Sequence, residues 1–246
     1  MSIPKIIHYC WFGGGAISPE NRKCMESWKK YCPDYKIIEW NDQNFDISIN
    51  RYAQQAYEAK KYAFVSDYVR LAVLYEYGGI YLDTDVELVR PLDELLELPG
   101  FMGFQTNNEV ATGLGFGARK GNSVVQALLR DYDALDFLKA DGSADLTPCP
   151  ERNTRVLQAL GVRKDGTRQS IAEMEIFPAE YFCPMDLYSR ELRVTPKTYS
   201  IHRYAESWKP KPSAVSRILQ RLLKKHYYTW YCPLRGRIEG RLRKRT

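Results

Sequence analysis

Histidine is scarce: His8, His202 and His226 are the only three in 246 residues. None of the six cysteines (Cys10, Cys24, Cys32, Cys149, Cys183, Cys232) stands in a CxxC spacing. Those two shortages exclude a zinc finger or ribbon, and a chain this long does not need a disulfide framework. Free thiols in a reducing cytoplasm are the expectation. No run of about 18 apolar residues occurs, so no segment reads as a membrane span. The stretch Met1-Ser2-Ile3-Pro4-Lys5 lacks the basic-then-apolar order of a secretory signal. There is no internal repeat and no low-complexity tract. Acidic side chains are nearly missing from one region: residues 209–246 hold 12 of the 36 Lys and Arg but only Glu239 of the 30 acids. The rest of the chain is left mildly acidic, with 24 basic against 29 acidic residues. A basic face for duplex DNA does not fit that distribution, whereas a localised basic appendage does.

What is present is enough apolar residue, 44%, for one sizeable core or a domain with an appendage. Eighteen Tyr and five Trp add rings suited to stacking on flat ligands or to filling a core. Ile3 to Tyr9 reads as a β-branched strand, followed by a Trp11-Phe12-Gly13-Gly14-Gly15 loop. Ser18-Pro19-Glu20 is a helix start, with Ser as cap, Pro at the first helical position and an acid in the first turn. That helix runs to about Tyr31, and Tyr35 to Trp40 alternates as a strand. The opening is therefore β-α-β, the beginning of an α/β sandwich with parallel strands. A helical stretch over Tyr52 to Tyr77, broken near Tyr62, ends at Gly78-Gly79. A short strand, Ile80-Tyr81-Leu82, follows. Further strands are expected at Phe101–Gln105, Leu114–Ala118, Glu175–Phe177 and Tyr199–His202, and a helix at Asn122–Leu135. A Pro-rich joint at Lys209-Pro210-Lys211-Pro212 separates a domain of residues 1–208 from an appendage of residues 209–246.

The chemistry concentrates in Ala63–Asp85, AFVSDYVRLAVLYEYGGIYLDTD. Asp67 and Arg70, three apart on a helix, share a face and act as one polar unit. Gly78-Gly79 turns the chain, and the strand delivers Asp83 and Asp85 at its carboxyl end, where open α/β sheets bind ligands. On extended backbone two such carboxylates point the same way and can share one Mn²⁺ or Mg²⁺ with diphosphate oxygens. A bare Asp-x-Asp is worthless as evidence. The second copy, Asp131-Tyr132-Asp133, sits in an expected helix and reads as a solvated face.

The whole 63–85 string resembles glycosyltransferase family 32, and more distantly the glucosylating toxin domains. Ser66, Asp67, Arg70, Leu74, Gly78, Gly79, Tyr81, Asp83 and Asp85 match its pattern, and the opening IPKIIHYCWFG resembles its first strand and loop. The resemblance covers residues 1 to about 120 well and the rest loosely. It implies a GT-A type, Rossmann-like α/β sandwich with a mixed, mostly parallel central sheet. It also implies a metal-dependent hexosyltransferase using a UDP- or GDP-linked sugar. In that reading Asp83 and Asp85 serve Mn²⁺ or Mg²⁺ and the donor's ribose and diphosphate, Asp67 and Arg70 hold the donor sugar, and Asp67, Arg70 and Asp85 are the catalytic set. Trp11 stacks on or walls in the nucleobase, or is instead a core residue of the first loop. Tyr199 to Pro210 resembles the family's late His-x₅-Trp element. There His202 is a candidate third metal ligand through a neutral ring nitrogen, and Ser207, Trp208 and Lys209 are candidate phosphate contacts. Gln105–Asn108 and Thr112–Gly115 are expected to border the sugar or acceptor, and His8 to be structural.

The resemblance further implies retention of anomeric configuration. Double displacement through an enzyme carboxylate and same-face attack both give it, and the lack of an isolated nucleophile favours the second. The acceptor is then a glycan or lipid-linked oligosaccharide of capsular or other surface polysaccharide synthesis. Val215, Ile218, Leu219, Leu222 and His226 recur at helical spacing, Arg217, Arg221 and Lys224 lie on another face, and Tyr227, Tyr228, Trp230 and Tyr231 follow. That profile suits a helix lying on an anionic membrane, placing the protein in the cytoplasm on the inner face of the membrane, with no nucleic acid partner. The alternatives are a helix packed on the body, a toxin-like protein glycosyltransferase, a metal-dependent hydrolase, and a nucleic-acid- or membrane-binding module without catalysis.

Overall fold

The computed structural model describes residues 2–186 and 189–205. Its elements, in order, are β1 (Ile6–Cys10), α1 (Pro19–Tyr31), β2 (Lys36–Trp40), α2 (Arg51–Glu58), α3 (Tyr62–Tyr77), β3 (Gly79–Tyr81), β4 (Val86–Leu88), β5 (Gly100–Phe104), β6 (Val110–Ala111), β7 (Phe116–Ala118), α4 (Ser123–Asp133), α5 (Cys149–Ala159), β8 (Gln169–Ile171), β9 (Met174–Phe177), α6 (Ala179–Phe182) and β10 (Ser200–His202). The main sheet has the order β2-β1-β3-β7-β5-β9-β8, with β6 on β5; β4 and β10 form a separate antiparallel ribbon. β1 pairs in parallel with β2 and β3, and β5 with β9, while β7, β6 and β8 run against their neighbours. Five strands thus share one direction, and the α/β class and mixed, mostly parallel sheet expected from the sequence are both present.

Local chemistry accounts for the first half. Ser18 caps α1 by accepting from the Asn21 N–H, and Pro19 occupies the first turn, where its missing N–H costs nothing. The long helical stretch divides as its pattern suggested. Between Glu58 and Tyr62 the chain passes through Lys60 at φ 56°, a conformation no helix interior accommodates. Gly78 and Gly79 are obligatory at the α3–β3 corner. Both have positive φ, and a Cβ at Gly79 would come within 2.8 Å of the Ile6 carbonyl and of the His8 ring. His8 is fully buried there. It accepts from the Trp40 indole at Nδ1 (3.0 Å) and meets the Gly78 carbonyl at Nε2 (2.8 Å), so the ring is neutral with its proton on Nε2.

Two apolar clusters lie on the two faces of the sheet. One joins α2 to α5 through Ala53, Leu71, Leu128 and Leu157; the other joins α1, β4, α6 and β10 through Trp28, Val86, Phe182 and Ile201. The sandwich holds the carboxyl ends of β1, β2 and β3 at one edge, which is where the polar residues gather. Among the described residues no helix is long and apolar enough to cross a membrane, and the five described cysteines are free and buried. Ser207, Trp208 and Lys209, and the whole basic appendage of residues 209–246 with its amphipathic pattern, lie outside the described residues.

Candidate metal and sugar site

Asp83 and Asp85 do not sit on extended chain. β3 ends at Tyr81, and the Val86 N–H donates to the Asp83 carbonyl (2.9 Å), closing Asp83–Val86 into a turn. The two-residue alternation anticipated from the sequence is therefore not what aligns their carboxylates. The turn is fixed from three sides. The Asp83 N–H donates to the Gly113 carbonyl (3.0 Å), the Thr84 hydroxyl accepts from the buried Asn21 amide of α1 (2.9 Å), and the Arg203 N–H donates to the Asp85 carbonyl (2.9 Å). β10 runs antiparallel to β4 with His202 opposite Val86, which brings the imidazole over the turn.

Ligand atoms of Asp83, Asp85 and His202 all lie within 4.8 Å of one another. His202 Nε2 is 3.3 Å from Asp85 Oδ1, and Asp85 Oδ2 accepts from the Ala205 N–H (2.7 Å). Burial alone would raise the Asp85 carboxyl and depress His202. The attraction between the two outweighs it, holding Asp85 below and His202 above their ordinary values. The donor set fits a hard divalent cation. Six ligands at about 2.1 Å place adjacent ligand atoms about 3 Å apart, close to the His202–Asp85 separation. Two carboxylates with one imidazole suit Mn²⁺ as well as Mg²⁺. Among the described residues, buried His202 Nδ1 has no hydrogen-bond partner, so these groups under-satisfy the ring. The carboxylates are engaged but not exhausted, since each oxygen has two lone pairs.

Arg70 ties this cluster to α3. Its Nη2 lies 3.2 Å from Asp67 Oδ1 and 3.1 Å from Asp83 Oδ1, its Nε donates to the Ser66 carbonyl (3.1 Å), and its guanidinium lies 4.8 Å from the centre of the Tyr81 ring. The Tyr81 hydroxyl also donates to Asp83 Oδ1 (3.0 Å). Asp67 and Arg70 form the expected unit, but a buried one, unlike an exposed i,i+3 pair of small value. Burial pushes the Asp67 carboxyl up to about 6, against the pull of Arg70 and with a further push from Asp83.

The remaining expectations divide. Trp11 is half-buried at the carboxyl end of β1 and donates its indole N–H to the Gly15 carbonyl. Asp131-Tyr132-Asp133 lies in α4 away from the cluster; Asp131 pairs with Arg155, Asp133 accepts from Asn50, and Tyr132 is core. Gln105–Asn108 closes the β5–β6 hairpin, with Gln105 and Asn107 bound to Glu109. Gly113 abuts the site directly: a Cβ there would lie 1.8 Å from Asp83 Oδ2. Gly113 lies in the Thr112–Gly115 stretch expected to border the sugar or acceptor. Sequence reasoning did not single out Asn21, Cys149 or Asn153, and the only signal for the last two was the polar start of α5.

Residues 18–101 match the family model described as "Glycosyltransferase sugar-binding region containing DXD motif". The chain is 28% identical over 151 residues to inositol phosphoceramide mannosyltransferase 3 of Schizosaccharomyces pombe, covering 55% of this chain and 39% of that protein. It is 26% identical over 221 residues to an uncharacterized glycosyltransferase of Acanthamoeba polyphaga mimivirus, covering 85% of this chain and 84% of that one. Among solved structures it is similar to the PaToxG glycosyltransferase, with a TM-score of 0.48 and 22% identity over 64% of this chain and 70% of that one.

Proposed function

We propose that the chain transfers a sugar from a nucleoside-diphosphate donor to a glycan or lipid-linked acceptor, on the premise that residues 18–101 match the sugar-binding region of glycosyltransferases with a DXD motif. The observation that carries the reading is the convergence of Asp83, Asp85 and His202, from a turn after β3 and from β10, on one point beside the buried Asp67–Arg70 pair. What supports the reading is that three possible metal ligands, from two separate segments, meet beside a buried guanidinium at the ligand edge of the sheet.

In this reading Asp83, Asp85 and His202 hold Mn²⁺ or Mg²⁺. The cation supplies positive charge to the departing diphosphate. Asp67 accepts hydrogen bonds from the donor sugar's hydroxyls, and Arg70 fixes Asp67 and Asp83 relative to each other. Trp11 walls in a UDP or GDP base. Ser207, Trp208 and Lys209 meet the phosphates and help exclude water, which would otherwise hydrolyse the activated sugar. The transfer retains anomeric configuration by same-face attack; a trapped covalent glycosyl-enzyme would count against that route. The name of the yeast relative supports a lipid-linked acceptor. The basic appendage then docks on an anionic membrane, in surface polysaccharide synthesis.

The test is a screen of UDP- and GDP-sugars with Mn²⁺, read by thermal shift and slow donor hydrolysis, with and without chelator. Asp83→Asn and Asp85→Asn are expected to abolish turnover while leaving the circular dichroism spectrum unchanged. Full activity of either variant in chelator would remove the assignment.

A further inference from the structure

Helix α5 turns an unusually polar face inward: Cys149, Arg152, Asn153 and Thr154 are all buried. Asn153 is 1% exposed and its Nδ2 donates to the Thr112 hydroxyl (3.1 Å) and the Cys149 sulfur (3.2 Å). Thr112 and Cys149 are themselves 3.3 Å apart, and both face Arg70 Nη1, at 3.5 and 3.8 Å. The neighbouring Thr154 hydroxyl accepts from the Val110 N–H (2.8 Å). Two successive side chains of α5 thus fasten the segment Val110–Thr112. The next residue in that segment is Gly113, whose carbonyl receives the Asp83 N–H and whose α-carbon abuts Asp83 Oδ2.

We infer that Asn153 is a positioning residue of the metal and sugar site, acting through Thr112 on Arg70 and through Thr112-Gly113 on Asp83. This rests on the proposed cation site. Asn153 lies behind Thr112 and Cys149, which stand between it and Arg70. Its Oδ1 is buried and has no partner among the described residues. Turning the amide over would set Oδ1 against the Thr112 hydroxyl and the Cys149 thiol, both able to donate, and leave the NH₂ where Oδ1 now has no partner. A buried unpaired polar atom carries a desolvation cost that a leucine or methionine here would avoid. The amide is therefore poor packing. What it supplies is a directed bond that fixes where Thr112 stands, and hence where the Arg70 guanidinium and the Asp83 carboxylate stand.

The experiment measures Mn²⁺ affinity of the donor-free protein by EPR titration, alongside Mn²⁺-dependent donor hydrolysis and thermal unfolding. Asn153→Ala is expected to weaken Mn²⁺ binding by about tenfold, within the range lost when a group supporting a metal ligand is removed. Thr112→Val, which removes the hydroxyl Asn153 holds, is expected to do the same, and the double variant to be no worse than either alone. Asn153→Asp keeps the shape but adds a charge that competes with Asp83 for Arg70, so it is expected to bind Mn²⁺ more weakly than Asn153→Ala. A purely structural role would lower the melting temperature without moving Mn²⁺ affinity, and that result in folded Asn153→Ala or Thr112→Val overturns the inference. Failure of the wild-type protein to bind Mn²⁺ at all would instead remove the cation site itself.

Discussion

Gly113→Ala is the sharpest probe of the proposed cation site, because the structure fixes the displacement it must cause. The added methyl would sit 1.8 Å from Asp83 Oδ2 and 2.7 Å from Asp83 Cγ, and real Cβ contacts essentially never fall under 3.0 Å. The carboxylate therefore has to move by at least 1.2 Å. The backbone offers little retreat, since the Asp83 N–H is bonded to the Gly113 carbonyl and the turn closes through Val86. The side chain must swing. Rotation away from Gly113 breaks its contacts with Arg70 Nη2 and the Tyr81 hydroxyl, at 3.1 and 3.0 Å. In the proposed site it would also remove one ligand from a cation whose bonds are only about 2.1 Å long.

A misplacement of about 1 Å typically costs about 10²-fold in rate, and loss of a ligand costs more. Donor turnover is expected to fall by about 10²- to 10³-fold, with Mn²⁺ binding weakened in parallel by EPR. Gly113 does not have positive φ, so alanine brings no backbone strain and the fold should survive. Gly15→Ala, at a position with open space around its Cβ, is the matched control and should be silent. Gly113→Ala with wild-type Mn²⁺ affinity and turnover would refute the placement of Asp83.

Four other outcomes follow from the same geometry. Arg70→Lys cannot reach Ser66, Asp67, Asp83 and Thr112 with one nitrogen, so donor turnover should drop about 10²-fold. Arg70→Met leaves two carboxylates facing each other without a cation and should cost about 3–5 kcal/mol in urea unfolding. The His8 ring, held down to about 4 by burial against an ordinary 6.5, is neutral when folded. Between those values the unfolded chain binds more protons, so its share of stability is lost as pH falls from 6.5 to 4, by about 3 kcal/mol. Asp67, raised by burial from 3.8 to about 6, works the other way, binding a proton in the folded state and gaining stability over much of that window. The two effects offset in the wild type. The measurement is therefore differential: His8→Gln should gain stability relative to wild type on acidification and Asp67→Asn should lose it, and parallel curves for all three would contradict both assignments. Donor turnover should also fall as pH drops through about 6, where Asp67 takes up a proton, and Asp67→Asn should lack that limb.

The parts legible in the sequence are those written in local chemistry. Ser18-Pro19 gave a helix start to the residue, Gly78-Gly79 gave the α3–β3 corner, and the Asp67/Arg70 spacing gave a shared face. Long-range geometry was not legible. Asn21 meets Thr84 across 63 residues and Asn153 meets Thr112 across 41. Helix α5 escaped notice because its inward face is Cys, Arg, Asn and Thr rather than an apolar stripe, so hydrophobic periodicity had nothing to register. The Asp83–Val86 turn was misread as extended because alternation of residue types does not distinguish a strand from the tight turn that ends it. These misses cluster around the site, where polar burial replaces the apolar pattern that sequence reading depends on.

The sharing of one guanidinium nitrogen between Asp67 and Asp83 has a thermodynamic consequence. If Asp67 binds the donor sugar and Asp83 the cation, a cation drawing on Asp83 weakens its hold on Arg70 Nη2 and leaves that nitrogen to Asp67. Cation and sugar should then bind cooperatively, and linkage makes the effect reciprocal, commonly 1–3 kcal/mol, or about 5- to 150-fold. Most of the coupling between Mn²⁺ and a nucleotide sugar comes through the diphosphate, so the contribution of Arg70 must be isolated. UDP alone bridges the cation but has no sugar to reach Asp67. The excess of Mn²⁺-induced tightening for UDP-glucose over UDP, or for the sugar donor and its nucleotide that the screen identifies, is the portion routed through Arg70. That excess should vanish in Arg70→Lys while the UDP coupling persists. An equal excess in wild type and variant would mean that the two halves of the site act independently, with Arg70 only a fixed counter-charge between them.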